Sequence, residues 1–345
     1  HTASGLRGKF IPCRHDGKAI PAETHGVTLQ LASDRRPAGS AAFSWTAERA
    51  AFALFALIGV ASLVILVVRP TNADTSWGLT LAEAVLSGQR LYVDILETNP
   101  PLTMALHLPA SLVARFTGLS PEVAHHLVTL AALSACLAAA VDILRTTGRS
   151  RDVAGFVTAV AIFQLVPWLN TFGEREQFAV MALLPCVALW RRPGDTGPRP
   201  WRAILLAGIG GGLATAIKPV FALCLIVPAV HDLIASRRIS RLLRPEYLIA
   251  AVLSGLYLVV AWLAYPIFFT TFSRVLADTY FQYRMGLWDL LAKPELGNLV
   301  LLTVVGWPQR HRSETPAWAT AAILTAGGFL LAFVAQAKGY LNHEM

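Results

Sequence analysis

Hydrophobic positions in this chain fall mainly in long runs. The first runs from Ala50 to Val68 and closes at Arg69-Pro70. Others follow at 123–144, 153–169, 177–190, 203–217, 219–230, 247–269, 294–307 and 317–336. A helix that crosses a bilayer needs about 20 apolar residues, so the pattern predicts nine spanning helices. The runs 219–230 and 294–307 are short. The segment 101–117 is apolar but is broken by Pro109 and carries His107 and Arg115, which predicts a helix lying at the interface. Residues 1–48 are polar and basic with no apolar periodicity and read as an N-terminal tail. The expected organisation is therefore a tail, 1–48, followed by a multi-span membrane domain, 49–345. The expected fold class is all-α, a polytopic membrane helical bundle with surface helices in the first long loop. Both ends read as cut, and the chain is expected to continue past Met345.

Composition agrees with this. Hydrophobic residues make up 55% and charged residues only 14% of the 345 positions, and mean hydropathy is +0.53. A soluble domain carries about 25% charged residues, so this chain cannot cover a water-facing surface. That excludes an ordinary cytosolic enzyme and a disordered chain. The net charge of +8 would suggest nucleic acid in a soluble protein. Here Lys and Arg lie between apolar runs and set orientation instead, so no nucleic-acid partner is expected. They are about threefold denser in loops 145–152, 191–202, 231–246 and 308–316 than in the loops on the other side. The tail and these loops are therefore expected inside, and 69–122 outside. The four cysteines, Cys13, Cys136, Cys186 and Cys224, fit neither a disulfide framework nor a zinc site.

The outer loops hold most of the acids, and 69–122 is longer than a plain connection requires. Its densest stretch is Asn72 to Leu102, NADTSWGLTLAEAVLSGQRLYVDILETNPPL. Asp74 lies just beyond the first span. Thr75 or Ser76 can cap a helix from Trp77 to Leu86, with Leu79, Ala82 and Leu86 on one side, and Gly88 can end it. Tyr92, Asp94, Glu97 and Asn99 follow, and Pro100-Pro101 stop one element and start the next. A second charged cluster, Gly173-Glu174-Arg175-Glu176-Gln177, joins two spans. Lys218 stands alone before Pro219, and Lys338-Gly339-Tyr340 with His343 follows the last apolar run. His125-His126 open a span and read as interfacial in preference to metal-ligating. Gly208 to Gly212 has no strand before it and no Gly-Lys-Ser/Thr after it, so it reads as a helix-packing face.

These segments together resemble the GT-C membrane glycosyltransferases. Most similar is the bacterial branch of protein O-mannosyltransferase and lipid A aminoarabinose transferase type (glycosyltransferase family 39-like). The similarity rests on the acid after the first span, the run ending in Asn99-Pro-Pro-Leu102, Gly173–Gln177, Gly208 to Lys218-Pro219, and Lys338 to His343. Relatives often carry Asp-Glu after the first span, whereas this chain has Asp74-Thr75. The resemblance implies sugar transfer from a polyprenyl-phosphate carrier to a glycan, lipid or protein acceptor. It places the protein in a bacterial inner membrane, with the N-terminus cytoplasmic and the active site periplasmic. Asp74 is implied as the catalytic base. Tyr92, Asp94, Glu97, Asn99, Glu174, Arg175, Glu176, Lys218, Lys338 and His343 are implied as substrate-binding. No cofactor is firmly implied, and a divalent metal is unsupported by the sequence. A transporter or flippase is the competing reading, kept open by Pro185, Pro228 and Pro266 inside apolar runs.

Overall fold

The computed structural model describes residues 38–69, 71–273, 284–291 and 314–337, with a few isolated residues between 275 and 308. Among them the chain is all-helical, a polytopic membrane bundle. Helix α1 (Ala38–Val68) leads to three surface helices, α2 (Ala73–Leu86), α3 (Pro101–Ala105) and α4 (Leu108–Thr117). Then come α5 (Pro121–Thr146), α6 (Val153–Leu165), α7 (Arg175–Leu189), α8 (Trp201–Ile217), α9 (Leu223–Ser236), α10 (Pro245–Ala264) and α11 (Ala317–Gln336). Six helical stretches are long and apolar enough to cross a membrane, at 46–68, 121–146, 150–170, 219–236, 245–264 and 317–336. In lipid every backbone N–H and C=O must pair within its own segment, and this is why apolar runs become helices.

The differences from the expected spans have local causes. Helix α1 starts at Ala38, so the end of the expected tail is helical; the run after Pro37 holds no further proline to interrupt it. The stretch 219–236 outlasts the apolar run 219–230. It passes through His231 and Asp232 because the buried Asp232 carboxylate meets Arg244 at 2.8 Å. The expected spans 177–190 and 203–217 are α7 and α8, only 15 and 17 residues long. The expected span 294–307 lies outside the described residues, isolated positions apart. In the first loop Asn72, not Thr75 or Ser76, caps α2, and its side chain accepts from the Thr75 N–H at 2.7 Å. The interface helix expected over 101–117 is two helices, with Pro109 in the first turn of α4, where its missing N–H costs nothing.

Packing follows side-chain size. Lipid tails are as apolar as leucine, so helices associate through close van der Waals contact. Helix α10 turns the small residues Ala250 and Ala261 inward and leaves Val252, Leu256, Val259 and Leu263 exposed, as a lipid-facing surface should. The glycines of α8 let it approach both neighbours. A Cβ at Gly212 would sit 2.8 Å from Leu253 Cβ, and one at Gly210 would overlap the Ala182 carbonyl oxygen. Gly210→Leu is therefore expected to sharply reduce the yield of monodisperse protein in detergent. Gly255→Leu, where a Cβ meets nothing within 4 Å, should not. Equal yields for the two variants would remove α8 from the packing core.

The two ends of the bundle differ. At one end arginines close the loops: Arg149 donates to the Trp190 carbonyl at 3.0 Å, Arg191 to the Thr147 carbonyl at 2.9 Å, and Arg199 pairs with Glu246. The other end carries α2 to α4, Glu174 to Glu176, and Lys218.

Candidate functional site

One cavity at the α2–α4 end draws on four segments. Asp74, Thr75, Trp77 and Gly78 come from α2, and Glu97 and Asn99 from the loop after it. Thr103, Met104 and His107 come from α3 and its end. Glu174, Arg175 and Glu176 come from the start of α7. Each segment is held there for a visible reason. The Asn72 cap fixes the first turn of α2 and so places Asp74, whose exposed carboxylate lies at the positive end of the helix dipole. The same Asn72 donates its amide N–H to Glu174 Oε1 at 2.5 Å, tying α2 to the α7 loop.

Glu97 organises the second segment. Its Oε2 accepts from Trp77 Nε1 at 2.6 Å, and its Oε1 from the Asn99 backbone N–H at 2.6 Å and side-chain amide at 2.8 Å. Glu97 is 3% exposed, yet both carboxylate oxygens are met by donors, as a buried polar group requires. Asn99 Oδ1 in turn accepts from Arg175. This closes a chain of contacts from α2 to α7, between residues 98 to 102 positions apart for Asn72 and 76 for Asn99.

The Gly173–Gln177 segment is built to present its charges. Gly173 has φ +82°, and a Cβ there would collide with the His125 ring, so only glycine fits. Its N–H donates to Gln177 Oε1 at 2.7 Å, and Gln177 donates to the Gln164 carbonyl at 2.8 Å. Gln177 is fully buried and fixes the loop on α6. Glu176 Oε1 then receives both Arg175 Nε at 3.0 Å and Lys218 Nζ at 2.9 Å. Lys218 therefore does not line the cavity; it grips Glu176, which grips Arg175. Burial, with Glu176 and Asp74 nearby, pushes the Glu174 carboxyl up to about 8.

That shift has a definite sign. Between the ordinary glutamate value of 4.5 and about 8 the folded chain holds a proton that the unfolded chain has lost, so stability falls as pH rises through this window. Glu174→Gln removes the titration. Its apparent melting temperature in detergent is expected to match the parent near pH 5 and to exceed it increasingly toward pH 8.5. Parallel pH curves for parent and variant would contradict the assignment.

Tyr92 and Asp94 do not reach the cavity. Tyr92 holds a left-handed φ of +66° in a turn closed by the Leu91–Ile95 bridge. Its hydroxyl donates to the Asn99 carbonyl at 2.5 Å, and its ring packs on Tyr265, Phe268 and Phe272. Tyr92 thus positions Asn99 from behind. Asp94 accepts from the Arg90 N–H at 2.8 Å on the exposed side of the same turn. Lys338 and His343 lie outside the described residues.

The cavity also includes neutral groups that sequence reasoning left unassigned, namely Trp77, Thr103 and His107. His125 and His126 are buried within the bundle, 0% and 2% exposed, and His125 stacks on His107 with ring centroids 5.0 Å apart. Among the described residues no group of three or more His, Cys, Asp or Glu is arranged to hold a metal ion. A second cavity, toward the arginine-rich end, is lined mainly by apolar side chains such as Leu189 and Ala250, and its Glu246 is already paired with Arg199.

No family model matches the chain, and no solved structure matches it. Over 188 residues it is 25% identical to the dolichol phosphate-mannose mannosyltransferase of Haloferax volcanii. That match takes in 53% of this chain and 38% of the relative, so the chain spans well under half of the relative's length.

Proposed function

We propose that the protein transfers a sugar from a polyprenyl-phosphate carrier to an acceptor hydroxyl at the membrane surface. The observation that carries this reading is the single cavity holding Asp74 together with Arg175. Glycosyl transfer of this kind needs both a base and a cation. The acceptor oxygen attacks the anomeric carbon as the bond from that carbon to the phosphate oxygen breaks. The acceptor's proton passes to Asp74. The electron pair leaves with the lipid phosphate, whose charge Arg175 stabilises. Glu97, Asn99 and Glu176 hold Arg175 and the loop in place, and Lys218 acts through Glu176. The similarity to the archaeal mannosyltransferase supports a lipid-linked donor. It does not choose the sugar or the acceptor. Transport is the weaker reading: the buried ion pairs Glu176–Lys218 and Asp232–Arg244 join residues near helix ends, whereas transporters commonly place ionisable groups at the bilayer midplane.

The reading puts the cavity on the outer, periplasmic face of a bacterial inner membrane, with the arginine-rich end cytoplasmic. Reporter fusions at Gly88 and Ser236 should then score on opposite sides, Gly88 outside. The same side for both would break the topology. The functional test uses membranes carrying the full-length protein and a panel of radiolabelled polyprenyl-phosphate sugars. Label should move from the lipid to an acceptor fraction only when the protein is present. Label retained in every lipid would sink the proposal.

A further inference from the structure

Buried hydrogen-bonding atoms almost always find partners, because an unmatched one has lost its bonds to water without replacement. Three side chains lining the cavity break this rule. Thr75 Oγ1, Thr103 Oγ1 and His107 Nε2 are buried and have no hydrogen-bond partner among the described residues. They stand apart from the charged members of the same cavity. Glu97, Glu174, Arg175 and Glu176 are all engaged by neighbours. The buried atoms of the cavity that remain unsatisfied are neutral: two hydroxyls and one imidazole nitrogen.

The imidazole's state is fixed by its surroundings. His107 Nδ1 lies 2.9 Å from the Thr103 carbonyl oxygen. A carbonyl can only accept, so Nδ1 carries the proton. Burial keeps the ring below the ordinary histidine value and hence neutral. Nε2 is therefore a bare acceptor. The ring is also held in one place, flat against Gly78 on one side and stacked on His125 on the other; a Cβ on Gly78 would come within 2.5 to 2.7 Å of it. The chain gives up a side chain at Gly78 to fit this ring beside the cavity.

Buried neutral donors and acceptors at fixed positions suit a ligand that presents several hydroxyls. Phosphate would call for cations, and an acyl chain for none of these groups. We propose that Thr75, Thr103 and His107 form a patch that reads the hydroxyls of the donor's sugar ring, with His107 Nε2 accepting from one ring hydroxyl. The proposal rests on the glycosyl-transfer reading. It selects the donor's ring because the anomeric carbon must lie between Asp74 and Arg175, in the cavity these three residues share.

The test measures equilibrium binding to the full-length protein in detergent. Each of a panel of polyprenyl-phosphate sugars (mannosyl, glucosyl, galactosyl and aminoarabinosyl) is compared with the same polyprenyl phosphate bearing no sugar. The parent should prefer at least one sugar-bearing lipid. Thr75→Val and Thr103→Val keep shape and delete the hydroxyl, and each should reduce that preference about three- to tenfold with bare-phosphate binding unchanged. Thr→Ser at either position should restore it. His107→Met should lose preference, while His107→Gln, which can offer an amide oxygen near Nε2, should keep most of it. A structural role would instead weaken both lipids together. Preference retained in the Val and Met variants would overturn the patch alone. A parent that binds every sugar-bearing lipid no better than the bare phosphate would overturn the glycosyl reading, and the patch with it.

Discussion

Asp74→Asn is expected to lower sugar transfer by about 10²–10⁴-fold, the usual cost of losing a general base. The substitution keeps the size of the side chain and its place in the first turn of α2. It gives up one charge near the helix N-terminus, worth about 0.3–1 kcal/mol at an exposed position, so folding should be little affected. Asn72 still caps the helix through its own side chain. Donor binding should be nearly unchanged, because the proton is taken only as the new bond forms. The loss should therefore fall on kcat, with KM for the donor close to the parent's. Activity within twofold of the parent would remove Asp74 as the base and leave Glu97, the other cavity-lining carboxylate outside the α7 loop, as the next candidate.

Arg175→Gln is expected to produce the second-largest loss, about 10²–10³-fold in kcat, the range seen when one donor to a developing negative charge is removed. Two features single out Arg175 among the cations. It lines the cavity, and its guanidinium is held by Asn99 and Glu176, so it is preorganised for a phosphate. Arg175→Lys keeps the charge but not the planar fork that meets Asn99 and Glu176 together, and only partial rescue is expected. Lys218→Met should have a smaller and different effect. It removes one of the two cations on Glu176 Oε1, loosening the support for Arg175 without removing a phosphate contact. A Lys218→Met loss as large as that of Arg175→Gln would mean that the ammonium itself meets the phosphate.

Most of the bundle was legible because lipid imposes one rule on every span, and unbroken apolar runs follow from it. The same rule misplaced the end of 219–236. An apolar count stops at His231, whereas the Asp232–Arg244 pair lets the helix continue. The charged part of the cavity was legible in outline: Asp74, Glu97, Asn99, Glu174, Arg175 and Glu176 all line it. Their division of labour was not. That Lys218 faces Glu176 and not the cavity depends on a contact between residues 42 positions apart. Tyr92 looked like a binding residue, yet its ring belongs to the aromatic cluster with Phe268 and Phe272. Thr75 reads from sequence only as a helix cap and His107 only as a polar residue in an apolar segment, and Thr103 carries no signal, because lone neutral residues in apolar or helical sequence point to no site. The break between α3 and α4 turns His107 toward Gly78 and His125, and no local periodicity encodes that stacking.

The central claim is that this cavity carries out sugar transfer with Asp74 as base. It is tested most directly by reconstituting full-length parent and Asp74→Asn protein in liposomes with a labelled polyprenyl-phosphate sugar and an acceptor-containing membrane extract. Two products are followed: glycosylated acceptor and sugar-free polyprenyl phosphate. The account predicts that both appear in equal amounts with the parent, and that both fall together by at least about a hundredfold with Asp74→Asn while donor binding persists. Intact donor found in the liposome lumen, with no polyprenyl phosphate released and no difference between parent and variant, would contradict it and favour transport.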